Sequence, residues 1–121
     1  MSKQVEMKSY WKFWCNAKSE ASARILLTRF IDKLHREVSV DAIESYHKGG
    51  FVISFYLSHD LGIWNDFVVD VIELGQQVGY DWRLSGDVRS DLSGWCNGSG
   101  IAGIQSIEWT CDRKSYETRA L

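Results

Sequence analysis

The chain has 121 residues, of which 45% are hydrophobic and 25% charged, with a formal net charge of −2. This length and composition predict one globular domain, residues 1–121, and exclude a disordered chain. No apolar run approaches the roughly 18 to 20 residues of a membrane span, and the polar start MSKQVEMKSY lacks the apolar segment of a secretory signal. We therefore expect a cytoplasmic protein that does not associate with membranes.

The first two elements follow from two different periodicities. The segment YWKFWCNA, residues 10–17, alternates between two faces, as a strand with one buried side does, and Trp14 lies on the other side. Residues 18–37 predict an amphipathic helix with Ser19 as its N-cap and basic residues in its last turn. The apolar stripe of this helix consists of Ala23, Leu26, Leu27, Phe30 and Leu34.

A predicted hairpin comes next. Two apolar stretches, VSVDAIESY and FVISFYLSH, meet at Gly49 and Gly50, a pair suited to the positive φ angles of a hairpin turn. The letters KGGFV resemble the Lys/Arg-Gly-aromatic-Gly/Ala-Phe-Val-x-aromatic strand of an RNA-recognition motif. However, the first aromatic is absent and Phe55 arrives one residue late, on the opposite face of the strand. We therefore expect no nucleic-acid partner, and an RNA-binding domain is kept only as an alternative function.

A second helix is predicted from Ile63 to Val78, and Gly79 is expected to end it in a left-handed conformation. Its apolar stripe consists of Trp64, Phe67, Val68, Val71, Ile72, Gly75 and Val78.

The remaining chain predicts two strands separated by a loop. DWRLSGDV is interpreted as a strand with Trp82 and Leu84 directed inward, and residues 90–103 as a loop rich in glycine and serine. Residues 104–111 alternate as a last strand, and the polar tail, residues 112–121, is expected to fray.

The order of these elements predicts an α+β fold. Two helices separated by a hairpin most simply pack on one face of an antiparallel sheet, which is the ferredoxin-like arrangement β-α-β-β-α-β, here with an extra C-terminal strand. Many unrelated functions use this fold, so the fold does not predict the function.

One glycine pattern matches a dinucleotide-binding fingerprint in letters alone. Gly98, Gly100 and Gly103 satisfy G-x-G-x-x-G, but a pyrophosphate site needs a helix after the glycines, with an acidic residue about 20 positions later. Residues with a strand-like alternation follow Gly103 instead. The sequence therefore predicts a turn and no nucleotide cofactor.

No catalytic or metal-binding motif is present. The three cysteines lack Cys-x-x-Cys spacing, so we expect buried reduced thiols and neither a disulfide framework nor structural zinc. The three histidines are interpreted as separate surface imidazoles. A nucleophilic pair of Cys15 with His47, or a Ser/His/Asp site, stays open but has no local signature. The cysteines are Cys15, Cys96 and Cys111, and the histidines are His35, His47 and His59.

Charge is unevenly distributed along the chain. The segment from Gly49 to Trp82 contains five acidic residues and no Lys or Arg. Asp66, Asp70 and Glu73 are spaced four and three apart, which places them on one side of the second helix. Such a surface repels phosphate backbones and attracts basic partners, although a merely solvated helix face has the same pattern.

The acidic run from Asp60 to Asp81 and the ending WCNGSGIAGIQSIEW resemble an immunity protein of a bacterial toxin-immunity pair, of the contact-dependent inhibition type. The resemblance implies a non-enzymatic inhibitor that binds a basic toxin, often a nuclease, as a one-to-one heterodimer. Carboxylates would then lie where the nucleic-acid phosphates lie on the toxin. The residues implied in partner binding are Asp60, Asp66, Asp70, Glu73 and Asp81, with Trp14 and Trp95 as apolar anchors.

Other functions stay open. A regulatory domain of the same fold would bind a small molecule on the sheet face that carries Tyr10, Lys12 and Trp14. An enzyme with Cys15 or Cys96 as its nucleophile would carry a reactive thiolate, which rapid alkylation at neutral pH would detect.

Overall fold

The computed structural model describes residues 7–59 and 62–113. The strands are β1 (Met7–Cys15), β2 (Val38–Ser45), β3 (Phe51–His59), β4 (Gly79–Tyr80), β5 (Arg83–Asp87), β6 (Asp91–Cys96), β7 (Gly98–Ser99) and β8 (Ile104–Asp112). The helices are α1 (Glu20–Leu34) and α2 (Trp64–Val78). In these described ranges the fold is α+β: an antiparallel sheet in the order β2-β3-β1-β8-β6-β5, a small β4-β7 pair and two helices.

Both helices pack on one face of the large sheet. Alternate residues of β1 are buried on this face, where Trp11 and Phe13 contact Phe30 of α1 with ring centroids 6.0 and 5.2 Å apart. α2 covers β8, where Gly75 lies against the indole of Trp109. Burying one such aromatic side chain contributes about 1.5–3 kcal/mol, so this layer holds the helices on the sheet. Within the described ranges, neither helix covers the opposite face.

α1 confirms the predicted helix. The Ser19 side chain accepts the Ser22 N–H at 3.1 Å, and the buried stripe consists of the five predicted residues. His35 ends the helix in a left-handed conformation, with its N–H on the carbonyl of Ile31. The predicted hairpin is also present, because β2 and β3 pair around Gly49 and Gly50, both with positive φ.

α2 lies where predicted, but its end differs. Leu74 is buried in addition to the predicted stripe, and Ile72 is only partly buried. The prediction for Gly79 was wrong: it is extended, with φ −156°, and begins β4. A side chain there would meet Cys96 Sγ at 2.7 Å, so close packing explains this glycine. Neither described helix is long and apolar enough to cross a membrane.

The predicted loop 90–103 is largely ordered as strand. β6 pairs with both β5 and β8, and Gly94 faces Trp109 so closely that a Cβ would lie 2.5 Å from the indole ring. Leu84 was predicted to point inward but is 50% exposed, since β5 is an exposed edge strand.

The strand order also differs from the predicted one. The last strand is not an addition at the edge: β8 pairs directly with β1 in the middle of the sheet. The added strands come earlier in the chain, as the β5-β6 hairpin that extends the sheet beyond β8. The polar tail predicted to fray lies mostly outside the described residues.

Candidate interaction surface

The predicted acidic residues of α2 separate into two environments. Asp66 and Glu73 are exposed and form no ion pair with a described residue. Asp70, between them, is turned against the body of the protein, where its side chain is 17% exposed. Asp60 lies outside the described residues.

Asp70 forms an internal ion-pair network. Arg36, just after α1, donates to both carboxylate oxygens at 3.0 Å, and His59 Nδ1 lies 2.7 Å from Oδ2. Burial alone raises the pKa of the Asp70 carboxyl, but the hydrogen bonds and charges of Arg36 and His59 outweigh it and lower the pKa below its ordinary value of 3.8. Asp70 therefore joins the two helices to β3.

The network continues into the sheet. Trp11 Nε1, which can only donate, binds Ser9 Oγ at 2.7 Å. Ser9 Oγ also lies 2.7 Å from His59 Nε2, and His59 Nδ1 donates to the Asp70 carboxylate, so the imidazole is held between Ser9 and Asp70. His59 is 1% exposed, so the prediction that it lies on the surface was wrong, whereas His35 and His47 are exposed.

The series Ser9, His59 and Asp70 has the hydrogen-bond order of a serine-hydrolase triad. Ser9 is 0% exposed, and its oxygen already accepts the indole N–H of Trp11. A nucleophile needs an approach path to its oxygen. In this structure the network links β1, β3 and α2 within the core.

Asp81 lies beyond the end of α2, between two aromatic residues. It is exposed, has a left-handed backbone with φ 57°, and forms no ion pair with a described residue. The β4-β7 pair positions it, because Tyr80 is held opposite Gly98, where a Cβ would lie 2.5 Å from the Tyr80 ring.

Trp14 and Trp95 were predicted as separate anchors, and the structure brings them together. Their rings meet edge to face with centroids 5.0 Å apart on the sheet face opposite the helices, and both are half-buried. Trp95 belongs to β6 and not to the predicted loop. Further along this face, the rings of Tyr10 and Tyr56 have centroids 4.8 Å apart, and the amine of Lys12 lies 5.6 Å from the centre of the Tyr10 ring.

Two cavities meet at Asp81. One, here called the Trp82 cavity, has a volume of about 390 Å³ and is lined by Ile72, Gln76, Gly79, Tyr80, Asp81, Trp82, Leu84 and Trp109. The other, of about 330 Å³, is lined by Tyr80, Asp81, Arg83, Trp95, Cys96, Asn97 and Gly98. Asp81 and Trp95, both predicted as site residues, therefore line one cavity.

Sequence reasoning missed Gln76, Tyr80 and Trp82 as surface-site residues. Gln76 follows Glu73 by three positions on α2, and the other two flank Asp81 in the sequence. That flanking is the available signal, but the strand interpretation of DWRLSGDV predicts that Trp82 is directed inward.

The other chemical motifs do not form sites in the described ranges. The cysteines are buried and reduced, and burial raises the pKa of Cys111 to about 12. Cys15 Sγ contacts the carbonyl of Phe51, with no described contact to His47. No group of three His, Cys, Asp or Glu residues in the described part could hold a metal ion. The glycines 98–103 lead into strand β8, as the turn interpretation predicted.

Comparisons of the chain with protein-family models, curated proteins and solved structures gave no match.

Proposed function

We propose that this protein binds a basic protein partner through an acidic strip formed by Asp66, Glu73 and Asp81. One observation supports this: all three carboxylates are exposed, and none of them forms an ion pair with a described residue. From Asp66 to Glu73 the strip follows α2 for about 10 Å at 1.5 Å per residue, and Asp81 extends it past the helix end. Charges arranged in this way accelerate encounter with a positive surface.

The basic partner that we propose is a toxin, which this protein inhibits. The resemblance to immunity proteins supports a one-to-one complex in which the strip covers the basic active site of a toxin, often a nuclease. Asp70 is omitted from the strip because its carboxylate already binds Arg36 and His59. We also propose that the segment β2-β3-β1-β8 corresponds to a ferredoxin-like sheet, extended by the β5-β6 hairpin.

The test is affinity capture from native lysate at low and high salt, including the product of the adjacent upstream reading frame, followed by reconstitution with the purified partner. The strip variant is the double substitution Asp66→Lys and Glu73→Lys. We expect the wild type to bind a basic partner one-to-one, more rapidly at low salt, and the strip variant to lose at least about tenfold in affinity.

A matched control carries the same charge change elsewhere. Asp32→Lys with Glu44→Lys alters two exposed carboxylates on α1 and β2 and gives the same net charge. This control should keep nearly wild-type affinity. If both double variants lose affinity equally, net charge and not the strip controls binding, and the proposal is wrong.

A second candidate function is small-molecule binding on the uncovered sheet face. The pairs Tyr10 with Tyr56 and Trp14 with Trp95 give this face two aromatic clusters suited to a flat ligand. A thermal-shift screen of metabolites tests it, because a ligand of the folded state raises the melting temperature by mass action. A stabilising compound whose effect is lost in Trp14→Ala but kept in the strip variant would favour this function.

A further inference from the structure

We propose that the Trp82 cavity binds the side chain of an arginine from the basic partner. This inference rests on the proposed function, since it names the group that the partner inserts beside the strip. Arginine is enriched among the residues that dominate interface energies, and such residues fill pockets on the facing surface.

The walls of the cavity suit a cation on an apolar stem. Ile72 and Leu84 provide aliphatic surface for the methylene groups of an arginine. Trp82 is half-buried and Tyr80 is 60% exposed, so both offer aromatic surface to an incoming group. The negative face of an aromatic ring attracts a guanidinium group.

The charge at the cavity has the required sign. Asp81 provides a carboxylate, and Gln76 provides an amide oxygen that can accept a guanidinium N–H. None of the residues that line the cavity is Lys or Arg, and Arg83 lines the adjacent cavity.

The aromatic wall is held in place before binding. Trp82 Nε1 donates to the carbonyl of Gly75 at 3.0 Å, and the ring packs against Trp109 with centroids 6.1 Å apart. A Cβ at position 75 would lie 3.3 Å from the Trp82 ring, so the glycine allows this close approach. A preorganised wall loses little side-chain freedom on binding.

Arginine fits these groups better than lysine does. The guanidinium is planar, so it can stack on the Trp82 ring while its edge N–H groups bind the Asp81 carboxylate. An ammonium group is compact and strongly hydrated and cannot make both contacts in the same way.

The experiment uses the whole chain without any partner and titrates it with N-acetyl-arginine methylamide. The probes for comparison are the lysine analogue and the citrulline analogue, which is nearly isosteric but uncharged, with the ionic strength held constant. Binding is followed by the NMR signals of the indole N–H groups. Trp82 and Trp109 report on the cavity. Trp64 is the internal control, because it lies at the other end of α2, where its Nε1 donates to the carbonyl of Val88.

We expect the arginine probe to shift the Trp82 signal and leave the Trp64 signal unchanged, with the citrulline probe bound about fivefold more weakly. The variant Asp81→Asn should weaken arginine binding by a similar factor. Asparagine tolerates the left-handed backbone at this position, so this variant keeps the loop conformation. Glu44→Gln removes an exposed carboxylate on β2, outside both the strip and the cavity, and should bind the probe as the wild type does.

Equal binding of the arginine and citrulline probes, unchanged binding in Asp81→Asn, or absence of any shift at Trp82 would each overturn the inference. The proposed function fails separately, when the strip variant keeps its affinity for the protein partner. If the strip variant loses the partner but the wild type does not bind the arginine probe, the proposed function stands and the inference is wrong.

Discussion

Asp66 and Asp70 are one helical turn apart on α2 and carry the same charge, yet their surroundings differ completely. Asp66 is exposed, whereas Asp70 binds Arg36 and His59. The sequence spacing could predict only that the two carboxylates share a side of the helix. The partners of Asp70 come from other elements, so their approach depends on the tertiary packing and has no local signal.

The substitution Asp70→Asn is expected to destabilise the fold by about 2 kcal/mol. It removes the charged hydrogen bonds from Arg36, and it leaves the buried imidazole of His59 with a weaker hydrogen-bond partner. Asp66→Asn, on the same helix and exposed, should stay within about 0.5 kcal/mol of wild type. Urea denaturation monitored by fluorescence measures both. Equal losses in the two variants would show that the network contributes little.

The pH dependence of stability follows from the same carboxyl. The pKa of Asp70 is lower in the folded protein than its ordinary value of 3.8, so its stabilisation is fully present above that value and is lost as pH falls through the folded-state pKa. The stability difference between wild type and Asp70→Asn should therefore shrink below about pH 4. Thermal unfolding of both proteins from neutral to acidic pH measures this, and a difference that stays constant would contradict it.

At the scale of elements, prediction succeeded where one periodicity dominated. The buried stripe of α1 follows from its 3.6-residue spacing, and β1 follows from its alternation. The sequence does not predict β6, because DLSGWC contains Asp91, Ser93 and Gly94, which give it a poor strand propensity. Gly94 is nevertheless required there, since the indole of Trp109 occupies the space where its side chain would be.

The β2-β3 hairpin supplies a prediction about its two glycines. Gly50 has φ 79°, and a Cβ there would overlap the carbonyl oxygen of Cys15, whereas a Cβ at Gly49, φ 100°, meets nothing within 4 Å. Gly49→Ala should cost about 1 kcal/mol from backbone strain alone. Gly50→Ala should cost about 3 kcal/mol, because β1 must also move. Chemical denaturation of the two variants tests this, and equal costs would mean that the hairpin moves away from β1 easily.

At the scale of the whole molecule, the α+β class and two helices on one face could be predicted, but the strand order could not. Pairing between strands distant in sequence depends on which faces bury apolar surface together, and several orders satisfy the same alternation. The candidate site shows the same limit. Charge along α2 is visible in the sequence, whereas the Trp82 cavity is formed where α2, β4, β5 and β8 meet.

The burial of all three cysteines makes chemical modification a measure of the global fold. Burial raises the pKa of Cys96 and raises that of Cys111 to about 12, so the reactive thiolate is scarce at neutral pH. We expect iodoacetamide to modify the folded protein slowly and the urea-unfolded protein completely, as measured by mass spectrometry. Rapid modification of one cysteine in the folded protein would contradict this and would identify a reactive thiol.

The central position of β1 has a consequence for synthesis of the protein. β1 is among the first described residues to leave the ribosome, but one of its two neighbours in the sheet is β8, in which Thr110 faces Tyr10. Until β8 is made, one edge of β1 has no partner, and Trp11 and Phe13 cannot be fully enclosed. Contacts so distant in sequence form slowly, so the nascent chain depends on protection of this edge and completes its sheet only after β8 has been made.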